Sequence, residues 1–211
     1  MAELQIQDIL EASPLIPVCA IDDLADAVPL ALALHKGGID NIEVTLRTGS
    51  AQDAIKAIKD RVPEMLIGAG TVLTAEQVYE CGRSGVSYIV SPGYSEEVHR
   101  VCEDHDLPYL PGAVTPTEIQ AARARGLTYL KFFPAAAFGG VKTLRALAPV
   151  FPDIKFCATG GIGLKDINDY MALANVIALG MSAFSAAELV TEKDWDAIEE
   201  RVRQALLTYN G

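Results

Sequence analysis

Short apolar runs alternate with longer amphipathic stretches along the whole chain. The runs fall at 15–21, 41–46, 66–69, 86–90, 108–110, 128–133, 154–158 and 176–179. They are apolar on both faces, as parallel strands covered by helices are. The stretches between them carry helix signals. A partial stripe of Leu4, Ile6, Ile9 and Leu10 predicts a helix over 3–12. Asp22 and Asp23 are N-cap candidates for a helix that runs to His35 or Lys36 and stops at Gly37-Gly38. Further helices are predicted over 50–60, from Thr74 to Gly82, after Ser95, from Thr115 to Arg125, and over 140–147, 164–172 and 194–207. Strand starts recur roughly every 20 to 26 residues, and eight such units predict a (β/α)8 barrel. It is expected to fill 1–211 as one domain, with 1–13 a short N-terminal helix packed on the barrel. An open doubly wound sheet is the other arrangement of such units, but no unit opens with a dinucleotide-type glycine fingerprint.

Composition narrows the partners. A net charge of −11 argues against nucleic acid or an anionic membrane surface. No apolar run approaches the length of a membrane span, and no basic-then-apolar leader is evident. The four cysteines show no CxxC spacing and read as reduced thiols, which suits the cytoplasm. His99-x-x-Cys102 with His105 has metal-like spacing, but these residues read as a solvated helix face, so no metal is expected.

The chemistry is expected at the C-terminal ends of the strands. By alternation Tyr129, Lys131 and Phe133 share one face of the sixth strand. A lysine in an aromatic strand is costly to bury unless it is paired or sheds its proton, and a neutral buried amine is the nucleophile of Schiff-base chemistry. A strand-end lysine whose ammonium reaches back to water is the alternative. On the second strand Glu43, Thr45 and Arg47 share a face, and a purely structural Glu43–Arg47 ion pair stays open. Thr71 offers a hydroxyl after Gly68-Ala69-Gly70. Thr159-Gly160-Gly161 and Gly180-Met181-Ser182 end the seventh and eighth strands, where barrel enzymes bind phosphate on backbone amides.

Taken together, EVTLRT at 43–48, GAGTV at 68–72, SPG at 91–93, KFFPA at 131–135 and TGGI at 159–162 resemble the 2-keto-3-deoxy-6-phosphogluconate (KDPG) aldolase family. Some members of that family also cleave 4-hydroxy-2-oxoglutarate. The resemblance spans nearly the whole chain. It implies a class I aldolase on a (β/α)8 barrel that needs no metal or cofactor, takes a phosphorylated 2-keto acid and assembles as a homotrimer. Carried over by motif, Lys131 would form the Schiff base and Glu43 would move protons. Arg47 and Thr71 would hold the pyruvyl carboxylate, and Pro92 and Phe133 would line the pocket. Thr159, Gly160, Gly161, Gly180 and Ser182 would form the phosphate end. The chain departs from the family pattern at Ala136, Ala158 and Met181, and the last is expected to bear on the phosphate end. Two other readings fit part of the pattern. A phosphosugar isomerase or epimerase would use the glycine loops but give Lys131 no role, and a non-catalytic barrel scaffold would give neither a role.

Overall fold

The computed structural model describes residues 4–210. A short helix α1 (Ile6–Ala12) precedes eight parallel strands. These are β1 (Leu15–Cys19), β2 (Asn41–Thr45), β3 (Leu66–Gly70), β4 (Tyr88–Val90), β5 (Tyr109–Leu110), β6 (Tyr129–Phe132), β7 (Lys155–Thr159) and β8 (Val176–Met181). Between them run α2 (Ala27–Gly37), α3 (Ala51–Arg61), α4 (Ala75–Ser84), α5 (Glu96–Asp104), α6 (Pro116–Arg123), α7 (Gly140–Leu147) and α8 (Ile167–Met171), with α9 (Ala187–Thr191) and α10 (Trp195–Asn210) after the last strand.

The strands hydrogen-bond in the order β5-β4-β3-β2-β1-β8-β7-β6. The ring closes between β5 and β6 through a parallel bridge of Gly112 with Lys131. There the Lys131 N–H donates to the Pro111 carbonyl at 2.8 Å, and the Ala113 N–H donates to the Lys131 carbonyl at 2.9 Å. Lys131 therefore sits on the seam that makes the sheet a (β/α)8 barrel.

Two apolar layers follow from strand alternation. Outward residues such as Leu130, Phe132, Phe156 and Val44 pack under the helices. Inward residues Ile16, Tyr88, Val90, Leu110, Cys157 and Ala178 fill the lower barrel and meet Ile9 and Leu10 of α1. The N-terminal helix thus stoppers the mouth opposite the candidate site.

Local signals set many helix bounds. The Thr74, Ser95 and Thr115 side chains accept from the N–H groups of Gln77, Val98 and Glu118, as N-caps do. Asp23 does accept from the Ala25 N–H, but it caps a 3-10 turn, Leu24–Asp26, and α2 starts only at Ala27. The stretch 164–172 divides likewise into a 3-10 turn, Leu164–Asp166, and α8. The predicted start of the first helix at residue 3 lies outside the described residues. β3 and β8 run on to Gly70 and Met181, past the expected ends at 69 and 179. Glycine is a poor strand former, yet ladder partners hold Gly70 and Gly180 extended, Thr45 beside Gly70, and Ile16 and Thr159 on the two sides of Gly180.

Candidate active site

Alternation on β6 sends Tyr129 and Lys131 inward and Leu130 and Phe132 outward. Lys131 is only 5% exposed, so its side chain does not reach for bulk water. Its Nζ donates to Glu43 Oε1 at 2.9 Å, and it lies 5.2 Å from the centroid of the Phe133 ring. Glu43 is 3% exposed on the inner face of β2. A carboxylate and an amine this deeply buried are tolerated because each satisfies the other.

β3 makes the room for Glu43. A Cβ at Gly70 would stand 2.8 Å from Glu43 Cγ and 2.9 Å from Cδ, and closer still to the carboxylate oxygen. Beneath the pair, Tyr88 donates its hydroxyl to Asn41 Oδ1 at 2.8 Å. Burial, then the Glu43 carboxylate, pushes the Tyr88 phenol well above its ordinary range. Burial also pushes the Cys157 thiol up to about 12, against the lowering pull of Lys131. Both groups stay protonated at neutral pH.

Among the described residues, the Glu43–Arg47 pair left open by the sequence does not form; Glu43 pairs across the barrel with Lys131 instead. Arg47 lies beyond the end of β2 and is exposed. Its N–H donates to the Thr45 carbonyl at 2.8 Å, which turns the chain, and its Nε donates to Thr45 Oγ1 at 3.2 Å. Thr71 follows β3 with φ 62, a conformation seldom adopted by a β-branched residue and one that recurs at functional sites. The Ser91 hydroxyl donates to the Val72 carbonyl at 2.7 Å and braces that loop.

One cavity of about 220 Å³ opens at the C-terminal strand ends. Lys131, Glu43, Arg47, Thr71, Pro92, Phe133, Thr159, Gly160, Gly161, Gly180 and Ser182 all stand on its wall. Val18, Thr45 and Ile162 stand there too, without having been assigned a role. Alternation had placed Thr45 on the face of Glu43 and Arg47, which was the available signal. A larger cavity of about 460 Å³ lies at the other end, between α1, α5 and β6. There His99 stacks on Tyr109. It lacks the buried ion pair and the strand-end residues, so size alone does not make it the reactive site.

At the far end of the cavity Gly160 and Gly161 take φ values of 102° and 74°, which glycine alone adopts readily. The Ala135 N–H donates to the Thr159 carbonyl at 2.8 Å and the Ala136 N–H to the Gly160 carbonyl at 3.0 Å, locking the loops after β6 and β7 together. Arg47 and Lys131 are the only cationic side chains on the wall among the described residues. Any phosphate here would rest on amides and the hydroxyls of Thr159 and Ser182. Met181 corrects an expectation. Its side chain is fully buried in the layer beneath the helices, not in the cavity. Because β8 continues to Met181, alternation turns Gly180 and Ser182 inward and Met181 outward. Ala158 is buried in the same outer layer, and Ala136 is exposed beside Gly161.

Comparison with known proteins follows the same lines. The family model for KDPG and KHG aldolase matches residues 6–201. A KHG/KDPG aldolase of Escherichia coli K12 is 41% identical over 200 residues, covering 95% of this chain and 94% of that protein. A KDPG aldolase of Legionella pneumophila, solved with pyruvate captured as a covalent carbinolamine, superposes with a TM-score of 0.93 at 39% identity, over 96% of this chain and 98% of that one. The enzyme of Zymomonas mobilis, solved with 3-phosphoglycerate, gives a TM-score of 0.91 at 34% identity, over 97% and 96%. The motifs, the barrel and these relatives agree: the chain belongs to the KDPG and KHG aldolase family.

Proposed function

We propose that this protein is a class I aldolase that reversibly cleaves 2-keto-3-deoxy-6-phosphogluconate to pyruvate and glyceraldehyde 3-phosphate. The same site would cleave 4-hydroxy-2-oxoglutarate to pyruvate and glyoxylate, as the name of the Escherichia coli relative suggests. The observation that carries the reading is the buried 2.9 Å contact of Lys131 with Glu43 inside the cavity. A phosphosugar isomerase would leave that pair unexplained.

The contact gives the proton a route. Glu43 takes a proton from Lys131 Nζ, and the amine attacks the C2 ketone. Glu43 returns that proton to the new oxygen and then carries a second one from nitrogen to the same oxygen, so that water can leave and an iminium remains. The iminium draws electrons from the C3–C4 bond. Glu43, now a carboxylate again, removes the C4 hydroxyl proton; that bond breaks and the aldehyde departs. The electron pair stays as an enamine on Lys131. Protonation at C3 and addition of water release pyruvate and restore the amine. One carboxylate serves each proton step, the economy expected of a general acid–base group within hydrogen-bond reach.

Arg47 would grip the pyruvyl carboxylate with its planar fork, with Thr71 as a second donor. Pro92 and Phe133 would wall the keto acid. Thr159, Gly160, Gly161, Gly180 and Ser182 would receive the phosphate. A homotrimer is the working form that the family resemblance implies, and a solution mass of one chain would contradict it; the four free cysteines suit the cytoplasm. The direct kinetic test is pyruvate release from the phosphorylated substrate by Lys131→Arg, whose guanidinium cannot form an imine. Turnover is expected to fall below about 1% of the parent's; a higher residue would remove Lys131 from the mechanism.

A further inference from the structure

We infer that Thr45 is a positioning residue that sets the carboxylate-binding pose of Arg47, an inference that rests on the function proposed above. Thr45 is 3% exposed and sits on the cavity wall between Glu43 and Arg47. Its hydroxyl is fixed at both ends. The Oγ1 donates to the Cys19 carbonyl of β1 at 3.1 Å. With its only proton committed there, Oγ1 is an acceptor toward the site, and it accepts from Arg47 Nε at 3.2 Å. The direction of this relay is set by chemistry: the carbonyl can only accept and the guanidinium can only donate.

The consequence lies at the other end of the arginine. Arg47 is exposed at the mouth of the cavity, where a long side chain would otherwise sample many rotamers. Held by Nε, the planar guanidinium keeps the N–H groups of its two terminal nitrogens for a ligand. A carboxylate can take two parallel bonds from such a fork. The backbone turn at Arg47, closed by its N–H to the Thr45 carbonyl, brings Nε over Oγ1. A ligand meeting a pre-set fork loses less in ordering it, so the benefit should appear as tighter keto-acid binding.

The test is a double-mutant cycle read by pyruvate binding. Borohydride traps the pyruvate imine on the lysine, and its dependence on pyruvate concentration gives a half-saturation value. Thr45→Val keeps the shape and removes the hydroxyl; Thr45→Ser keeps the hydroxyl. Thr45→Val should raise half-saturation about tenfold, with the adduct at saturating pyruvate unchanged, and Thr45→Ser should stay within about twofold. In an Arg47→Ala background Thr45→Val should add less than about twofold, because its effect passes through the arginine. An unchanged half-saturation in Thr45→Val, or the full penalty persisting without Arg47, overturns the inference. A hydroxyl that only supported the fold would lower the melting temperature and leave both readings alone, which also overturns it. If Thr45→Val does not fold, Thr45→Ala is read in the same way. A parent protein that forms no adduct defeats the proposed function and this inference together. A parent that does, beside a silent Thr45→Val, defeats this inference alone.

Discussion

A buried amine and a buried carboxylate stand 2.9 Å apart inside this barrel. Their positions depend on a residue with no side chain. Gly70 leaves the volume that the Glu43 carboxylate fills. Gly70→Ala should therefore push Glu43 away from Lys131, and a misplacement of about 1 Å can cost roughly 10²-fold in rate. Steady-state pyruvate release should fall by about that factor; a variant that turns over like its parent would show that Glu43 has no exacting role. At this scale the sequence was informative about kinds of residue and silent about partners. Alternation placed Lys131 and Glu43 on inward faces. It could not show that they meet, because they lie on strands on different sides of the barrel, 88 residues apart in the chain. Met181 shows the converse. Its outward direction follows from alternation once β8 is known to continue, and what hid it was a glycine at the point where the strand was expected to end.

The elements divide the barrel into a working end and a closed end. The glycine-bearing ends of β3 and β8 and the Gly160-Gly161 loop after β7 stand at one mouth, and α1 fills the other with Ile9 and Leu10. Since α1 touches none of the cavity wall, its loss should affect stability before chemistry. Leu10→Ala should cost about 2–5 kcal/mol, the range for emptying a fully buried leucine site. Denaturant melts should show that loss, while folded protein keeps its ability to trap pyruvate; trapping lost without a stability change would give α1 a different role. The helix caps at Thr74, Ser95 and Thr115 were readable because their chemistry is local: a side-chain oxygen meets an N–H three residues on. The 3-10 turn before α2 and the short α9 were not, since neither carries enough periodic apolar positions to outweigh the packing that shapes it.

At the scale of the whole molecule, eight units make one ring, and the ring closes on the backbone of Lys131. Strand order around it follows chain order, which is why the count of apolar runs was enough to predict a barrel. The closing bridge was invisible, because it depends on where the eighth gap falls. The interior also sets an alkaline limit. Burial raises Cys19, Cys102 and Cys157 from 9.0 to about 12, and Cys81 to about 11. A thiol whose folded value is raised contributes stability that is complete below its unfolded value near 9 and is lost as pH climbs toward 12. Melting temperature should hold to about pH 8.5 and fall beyond pH 9, and Cys19→Ala should flatten that fall in a pH series of thermal melts; an unaltered slope would exclude the thiol as a source. The claim on which everything else depends is that Lys131 is the Schiff-base lysine. Incubation with pyruvate and borohydride, followed by peptide mass mapping, tests it most directly. One reduced pyruvyl adduct on the peptide containing Lys131, absent without pyruvate, is the predicted result. No adduct, or an adduct on another lysine, would contradict it.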